Sequence, residues 1–210
     1  MGCWHGRHGR HINCGCHLVQ SMREGTDSRV GAMSCEDTAN SNGRAAVFFV
    51  GNRLMLDDGV GPAAYDAFLE QFEVEEAVAL FDVGCMTMDL VNYVKNCRFV
   101  MSVDAIEGSD QPAGTVFRFT PDDAARHGMI PSLHDLKLSD LFDAAALLGY
   151  TAEGLCLGMQ VQDCEPREYI VGLTPACQAA LPLLVEAVAA ELVKQGYRVT
   201  RKQTQEVLHV

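Results

Sequence analysis

The sequence predicts an α/β fold: a single three-layer domain with a mainly parallel central sheet and helices on both faces. Three observations carry this reading. Short, continuously apolar runs recur at 45–51, 76–84, 98–106 and 154–161, the pattern of strands buried on both faces. Segments with helical starts and apolar stripes alternate with them. The chain has 210 residues, 48% of them apolar and 21% charged, which suits one globular domain with an appended arm.

The arm comes first. Residues 1–44 are rich in Gly, Ser, Asn, Cys, His and Arg, lack an apolar period and read as disordered. Cys3, His5, His8, His11, Cys14, Cys16 and His17 are soft or borderline metal ligands, but their spacing matches no zinc pattern. Metal storage or delivery is one reading of the arm. A passenger extension, with Met22 or Met33 as the true start, is the other. Gly2-Cys3 resembles an acylated terminus, yet Gly6 breaks the myristoylation pattern. No apolar segment follows the early arginines, so no secretory signal is expected.

The domain is predicted over 45–196. "AAVFFVG" (45–51) is the first strand. Pro62 favours a helix start, since it presets φ and lacks an amide hydrogen, and "AAYDAFLEQF" continues that helix. "EAVALFDVG" (76–84) is the second strand, with a short helix near 86–95 after it. "RFVMSVDAI" (98–106) is the third. "GTVFRF" (114–119) alternates and predicts an edge strand, and "PDDAARHG" (121–128) predicts a short helix with His127 at its C-terminus. "KLSDLFDAAALLG" (137–149) is a helix with Leu138, Leu141, Phe142, Ala145 and Leu148 as its stripe. "GLCLGMQV" (154–161) is a further strand. The last helix spans 174–196, with Thr174 as N-cap, Leu181, Leu184, Val185, Val188 and Leu192 buried, and Pro182 as a kink point. A polar tail, 197–210, closes the chain.

Net charge narrows the function. At −12, general binding to nucleic acid or an acidic membrane surface is not expected. No apolar stretch is read as approaching the roughly 18–20 residues of a membrane span. Nine cysteines, an odd number without framework spacing, fit reduced thiols in a cytoplasmic protein.

Ligands of parallel sheets bind beyond the carboxyl ends of the strands. Here those ends are acidic. The first strand leads through Gly51-Asn52 to Asp57-Asp58, the second ends at Asp82-Val83-Gly84-Cys85, and the third at Asp104. His134 lies in the loop before the stripe helix. Gly51, Gly59 and Gly61 fit neither the dinucleotide nor the P-loop spacing, and paired aspartates repel a phosphate. Two carboxylates and one imidazole suit a divalent metal with open positions.

Each residue also has a plainer reading. Asp57 can cap the following turn. Asp82 can accept amides of its own turn and shape the crevice, the reading preferred for it. Asp104, at the end of an apolar strand, needs a metal, a cation or several amide donors. His134 can be an ordinary loop histidine. Cys85 can be a nucleophile paired with a base, or a small packing residue.

Five motifs together resemble one family, the endopeptidases that mature the large subunit of nickel-iron hydrogenases. They are "VGNRLMLDDGVGP", "SVDA" (102–105), "SLHDLKLSDLF", "LGMQ" (157–160) and "GLTPACQAALP", in the family's order, over about Ala45–Gln195. The resemblance implies removal of a C-terminal peptide from the large-subunit precursor once nickel is in place. It implies that Asp58, Asp104 and His134 contact nickel carried by the substrate, with no organic cofactor. The expected partner is that precursor, and the enzyme is expected to be a cytoplasmic monomer. Asn52, Asp57, Asp82 and Cys85 would shape the substrate groove. Departures are Val83 and Cys85 in a turn usually written D-G-G-[ST], and Val161 in place of Pro. A docking module that binds nickel without cutting, and a nucleotide-binding protein, are the alternatives.

Overall fold

A computed structural model describes residues 43–84, 88–120, 123, 130–131 and 138–202. All of them fall within the unit Thr38–Val210. The Cys/His-rich arm, His127, His134, Cys85 and most of the helix predicted at 121–128 lie outside the described residues.

The elements run β1 (Arg44–Val50), α1 (Val60–Gln71), β2 (Phe72–Val74), β3 (Val78–Gly84), α2 (Val91–Val94), β4 (Cys97–Glu107), β5 (Val116–Phe119), β6 (Ile130–Pro131), α3 (Leu138–Leu147), β7 (Glu153–Gln160), α4 (Pro175–Lys194) and β8 (Val199–Arg201). The main sheet has the order β3-β1-β4-β7-β5. β3, β1, β4 and β7 are parallel. β5 is the antiparallel edge strand that its alternation predicts.

Strand parity divides the core. Ala45, Val47 and Phe49 of β1, with Phe99, Met101 and Val103 of β4, pack against Val60, Ala64 and Phe68 of α1 and Leu184, Val185 and Val188 of α4. Ala46, Phe48 and Val50 face the other way, onto Leu90, Val94, Leu141 and Ala145. Both faces of β1 are therefore covered, which is why its sequence is an unbroken apolar run rather than an alternating one.

α4 buries the five residues predicted for it. It stays helical from Pro175 to Lys194 with Pro182 exposed on its outer side. By length and composition α4 could cross a membrane, contrary to the reading that no stretch is long enough. Its apolar excess is accounted for by the face packed on the sheet.

Two further corrections follow from chain geometry. Leu148 is 57% exposed instead of completing the α3 stripe. The helix ends at Leu147, one residue short of that position, and the chain reverses at Gly149, at φ +80°. Beyond Gly196, Val199–Arg201 is a strand paired antiparallel with β2, and Tyr197 is buried. A three-residue strand is too short to carry a legible period.

An ion pair joins β5 to α4. Arg118 donates through Nε and Nη2 to the two oxygens of buried Glu191, at 2.9 and 3.0 Å. This bidentate pairing holds the Glu191 carboxyl below its ordinary range. A lowered folded-state pKa adds stability above the unfolded pKa of about 4.3, and that stability disappears as pH falls through the folded value. Glu191→Gln is expected to cost about 1–2 kcal/mol at pH 7 and progressively less below about pH 4, measured by urea unfolding across pH.

Candidate functional site

The carboxyl ends of β3, β1, β4 and β7 form one edge of the sheet, and the β1–α1 loop crosses it. Close backbone packing holds this loop. A Cβ on Gly51, which sits at φ +139°, would lie 1.9 Å from the Asp58 carbonyl oxygen. A Cβ on Gly61 would meet the Val50 oxygen at 2.0 Å and the Val103 oxygen at 2.8 Å. The start of α1 thus rests directly on the ends of β1 and β4, and glycine is what permits the approach.

Within the loop, the Asn52 amide donates to Asp58 Oδ2 at 2.9 Å, and Asn52 Oδ1 accepts the Leu54 amide at 3.0 Å. Asp58 is 7% exposed. Leu56 sits at φ +50°, a costly conformation for a branched apolar residue, and is held by its amide donating to the Ile170 carbonyl at 2.8 Å.

Asp57 behaves differently from its neighbour. It does not cap the following turn, where no side-chain cap is made. It is fully buried and turns across the molecule to accept four hydrogen bonds. Oδ1 accepts the Thr174 amide at 2.7 Å. Oδ2 accepts the Thr174 hydroxyl at 2.9 Å and the amides of Gln162 and Asp163 at 3.1 and 3.3 Å. Thr174 is at the predicted N-cap position of α4, but its hydroxyl serves Asp57 instead of capping the helix. Asp57 therefore ties the β1–α1 loop to the end of β7 and the start of α4.

Asp82 makes the turn contact expected of it, accepting the Gly84 amide at 3.3 Å. It also pairs with Arg53, whose Nη2 lies 2.7 Å from Oδ2. The same guanidinium reaches Asp66 on α1 at 2.5 Å, and both carboxylates hold it firmly protonated. Arg53 thereby clamps the loop between β3 and α1.

Asp104 is half-buried near the end of β4, with Oδ1 accepting the Ala105 amide at 2.8 Å. Its register partner is Gly158 of β7. Past it, the Glu107 carboxylate interacts with the buried Cys164 thiol. Burial, this hydrogen bond and the charges of Glu107 and Asp58 all raise the Cys164 pKa. Burial likewise pushes Cys97 up to about 11 and Cys156 up to about 12, and raises Cys177. These four thiols stay protonated near neutrality and are poor nucleophiles. Iodoacetamide at pH 7.5 (about one unit below a free thiol) is expected to leave them unmodified in the folded protein and to label them after unfolding, as read by peptide mass spectrometry.

Asp58 and Asp104 thus come to one sheet edge, each with a carboxylate oxygen fixed by a main-chain amide. Among the described residues no three His, Cys, Asp or Glu side chains converge as a metal site. Sequence reasoning missed Arg53, Glu107 and Cys164. The spacing from Asp104 to Glu107 along one strand was visible, but the return of Cys164 to that point was not.

Comparison with known proteins follows the same lines. The family model for hydrogenase maturation proteases matches residues 64–191. The hydrogenase expression/formation protein HupD of Bradyrhizobium diazoefficiens is 28% identical over 168 residues, covering 79% of this chain and 86% of its own. The hydrogenase 2 maturation protease of Escherichia coli is 27% identical over 161 residues, covering 73% and 93%. The solved structure of the hydrogenase maturating endopeptidase HybD from E. coli superposes with a TM-score of 0.68 at 25% identity, covering 76% of this chain and 98% of that one.

Proposed function

Since this chain belongs to the hydrogenase maturation protease family, we propose that it is the endopeptidase that removes the C-terminal peptide of a nickel-iron hydrogenase large-subunit precursor after nickel insertion. Hydrogenase maturation proteases are peptidases, and processing of a hydrogenase precursor is the family's work. The finer reading is that the nickel belongs to the substrate and is recognised by Asp58, Asp104 and His134. The observation that supports it best is the position of Asp58 and Asp104 at the same end of the sheet, each held by an amide.

His134 is compatible with this set by chain length. Pro131 is paired with Ile106, two residues past Asp104. Three Cα–Cα steps then lead from Pro131 to His134, a reach of at most about 11 Å.

In this reading the chain's own residues do three things. The Asn52 and Ala105 amides fix the two carboxylates, so that they meet a cation without reorganising. Asp57 and Arg53 hold the loop that carries Asp58. The three donors hold the metal-bearing end of the precursor, and with it the bond to be cut, at the sheet edge. Fixing a reacting group in this way is worth several kcal/mol, on the order of 7–11 at the limit. A precursor without nickel lacks the anchor, so selectivity follows from the same contacts. The enzyme is proposed to work in the cytoplasm, as a monomer and without an organic cofactor.

The test is a cleavage assay with purified protein and the same genome's large-subunit precursor, nickel-loaded and nickel-free, with products weighed by mass spectrometry. Release of a C-terminal peptide from the loaded form alone is expected. Asp58→Asn and Asp104→Asn are each expected to lower cleavage about 100-fold or more while the protein stays folded by circular dichroism. Full activity in either variant removes that residue from the mechanism. A stable complex without any cleavage would make the protein a nickel-checking module.

A further inference from the structure

Between β7 and α4 the chain runs as a strap, residues 162–173, beside the loop that carries Asp58. Asp57 holds both ends of it, through the Gln162 and Asp163 amides at one end and Thr174 at the other. In the middle, the Ile170 amide donates to the Leu54 carbonyl at 2.9 Å, and the Ile170 carbonyl accepts the Leu56 amide at 2.8 Å. Met55 and Ile170 form an isolated parallel bridge. Asp58 follows Met55 by three residues and donates its amide to the Met55 carbonyl at 3.1 Å.

This pairing has a geometric consequence. A planar trans peptide unit points its C=O and its N–H to opposite sides. Ile170 spends its N–H and C=O on the loop. The C=O of Tyr169 and the N–H of Val171 therefore face away from it, and neither has a hydrogen-bond partner among the described residues. The side chains here are also open. Tyr169 is 79% exposed and Val171 77%, with Leu54 at 47% beside them. A firmly anchored segment thus offers a backbone donor, a backbone acceptor and large apolar side chains together, next to Asp58. Fold stability does not explain them, since none of these three side chains joins either core.

We propose that residues 169–171 are an open strand edge that pairs with the extended C-terminal segment of the precursor. Tyr169 and Val171 contact apolar side chains of that segment. An extended peptide is the occupant this edge fits, because main-chain pairing requires a strand and the alternating apolar side chains select for its sequence. The peptide then runs on the far side of the strap from Met55, two strand spacings or about 10 Å away, so the bond held at Asp58 lies beyond the paired segment along the same polypeptide. This inference rests on the protease reading above and adds the surface that grips the polypeptide apart from its metal.

The test uses the full chain, wild type and Tyr169→Ser/Val171→Ser, with the nickel-loaded precursor. The double variant is expected to keep its melting temperature, since both side chains are exposed, to raise KM about tenfold or more and to hold kcat within about threefold. Hydrogen–deuterium exchange is read in parallel. Segment 166–173 is expected to exchange fast in the free protein at its Val171 amide, and to be protected in the precursor complex. An unchanged KM with no protection overturns the proposal while leaving the protease reading intact. If the wild type binds the precursor without cutting it, the dissociation constant replaces KM, and the same outcomes decide. Protection already present in the free chain, from its own arm or from a second copy, also overturns it.

Discussion

Gly61→Ala is expected to be among the most destabilising single changes in this chain. The added Cβ would lie 2.0 Å from the Val50 carbonyl oxygen, 2.7 Å from the Val50 nitrogen and 2.8 Å from the Val103 carbonyl oxygen. All three are backbone atoms of adjacent sheet strands and cannot turn aside as a side-chain end would. Overpacking against movable side chains costs about 1–3 kcal/mol. Here the relief is to lift the first turn of α1, which uncovers Val60 and Ala64 and displaces Asp58, so a cost above about 4 kcal/mol is expected. Against a total stability of about 5–15 kcal/mol, that is a large share, and at the low end it leaves a marginal fold. Gly59→Ala is the control. Its nearest contact would be an ordinary 3.4 Å and its φ is −75°, so it should shift the urea midpoint little. A wild-type midpoint for Gly61→Ala would show that α1 does not rest on the strand ends.

Asp57→Asn is expected to destabilise by about 3–5 kcal/mol. All four groups bonded to this carboxylate are donors, with Thr174 N–H on Oδ1 and three donors on Oδ2. An asparagine places an NH2 against donors in either orientation, inside a site that is fully buried. The measurement is the urea midpoint at constant slope. A loss below about 1 kcal/mol would mean that the four contacts are not formed together. The comparison with Asp58→Asn separates two adjacent carboxylates by phenotype. Replacing the first should lower the urea midpoint sharply, whereas replacing the second should leave the midpoint near wild type and abolish cleavage.

The two aspartates also show how far the sequence could be read. Their placement between a buried strand and a helix start was read as a ligand edge, and the fold carries Asp58 and Asp104 to the carboxyl end of the sheet. The division of labour was only half legible. Capping was the plain reading for Asp57 because a cap needs nothing beyond its own turn. Its partners are 105–117 residues further along the chain, and no local pattern announces them. Arg53 is similar: it stands in the opening motif as an unremarked position, and only the meeting of β3, α1 and the loop makes it a clamp.

What the sequence determined by itself was local. The double burial of β1, the edge character of β5, the buried face of α4 and the acidic strand ends are each encoded within about ten residues, in periods that water and the backbone impose. What the tertiary structure decided was every link between distant segments: Asp57 with Thr174, Arg118 with Glu191, β2 with β8, and the strap with the loop that carries Asp58. Such links form when the sheet closes and brings separate strand ends to one edge. Their energy depends on which groups arrive there together, a property of the assembled layers that no single stretch of chain contains.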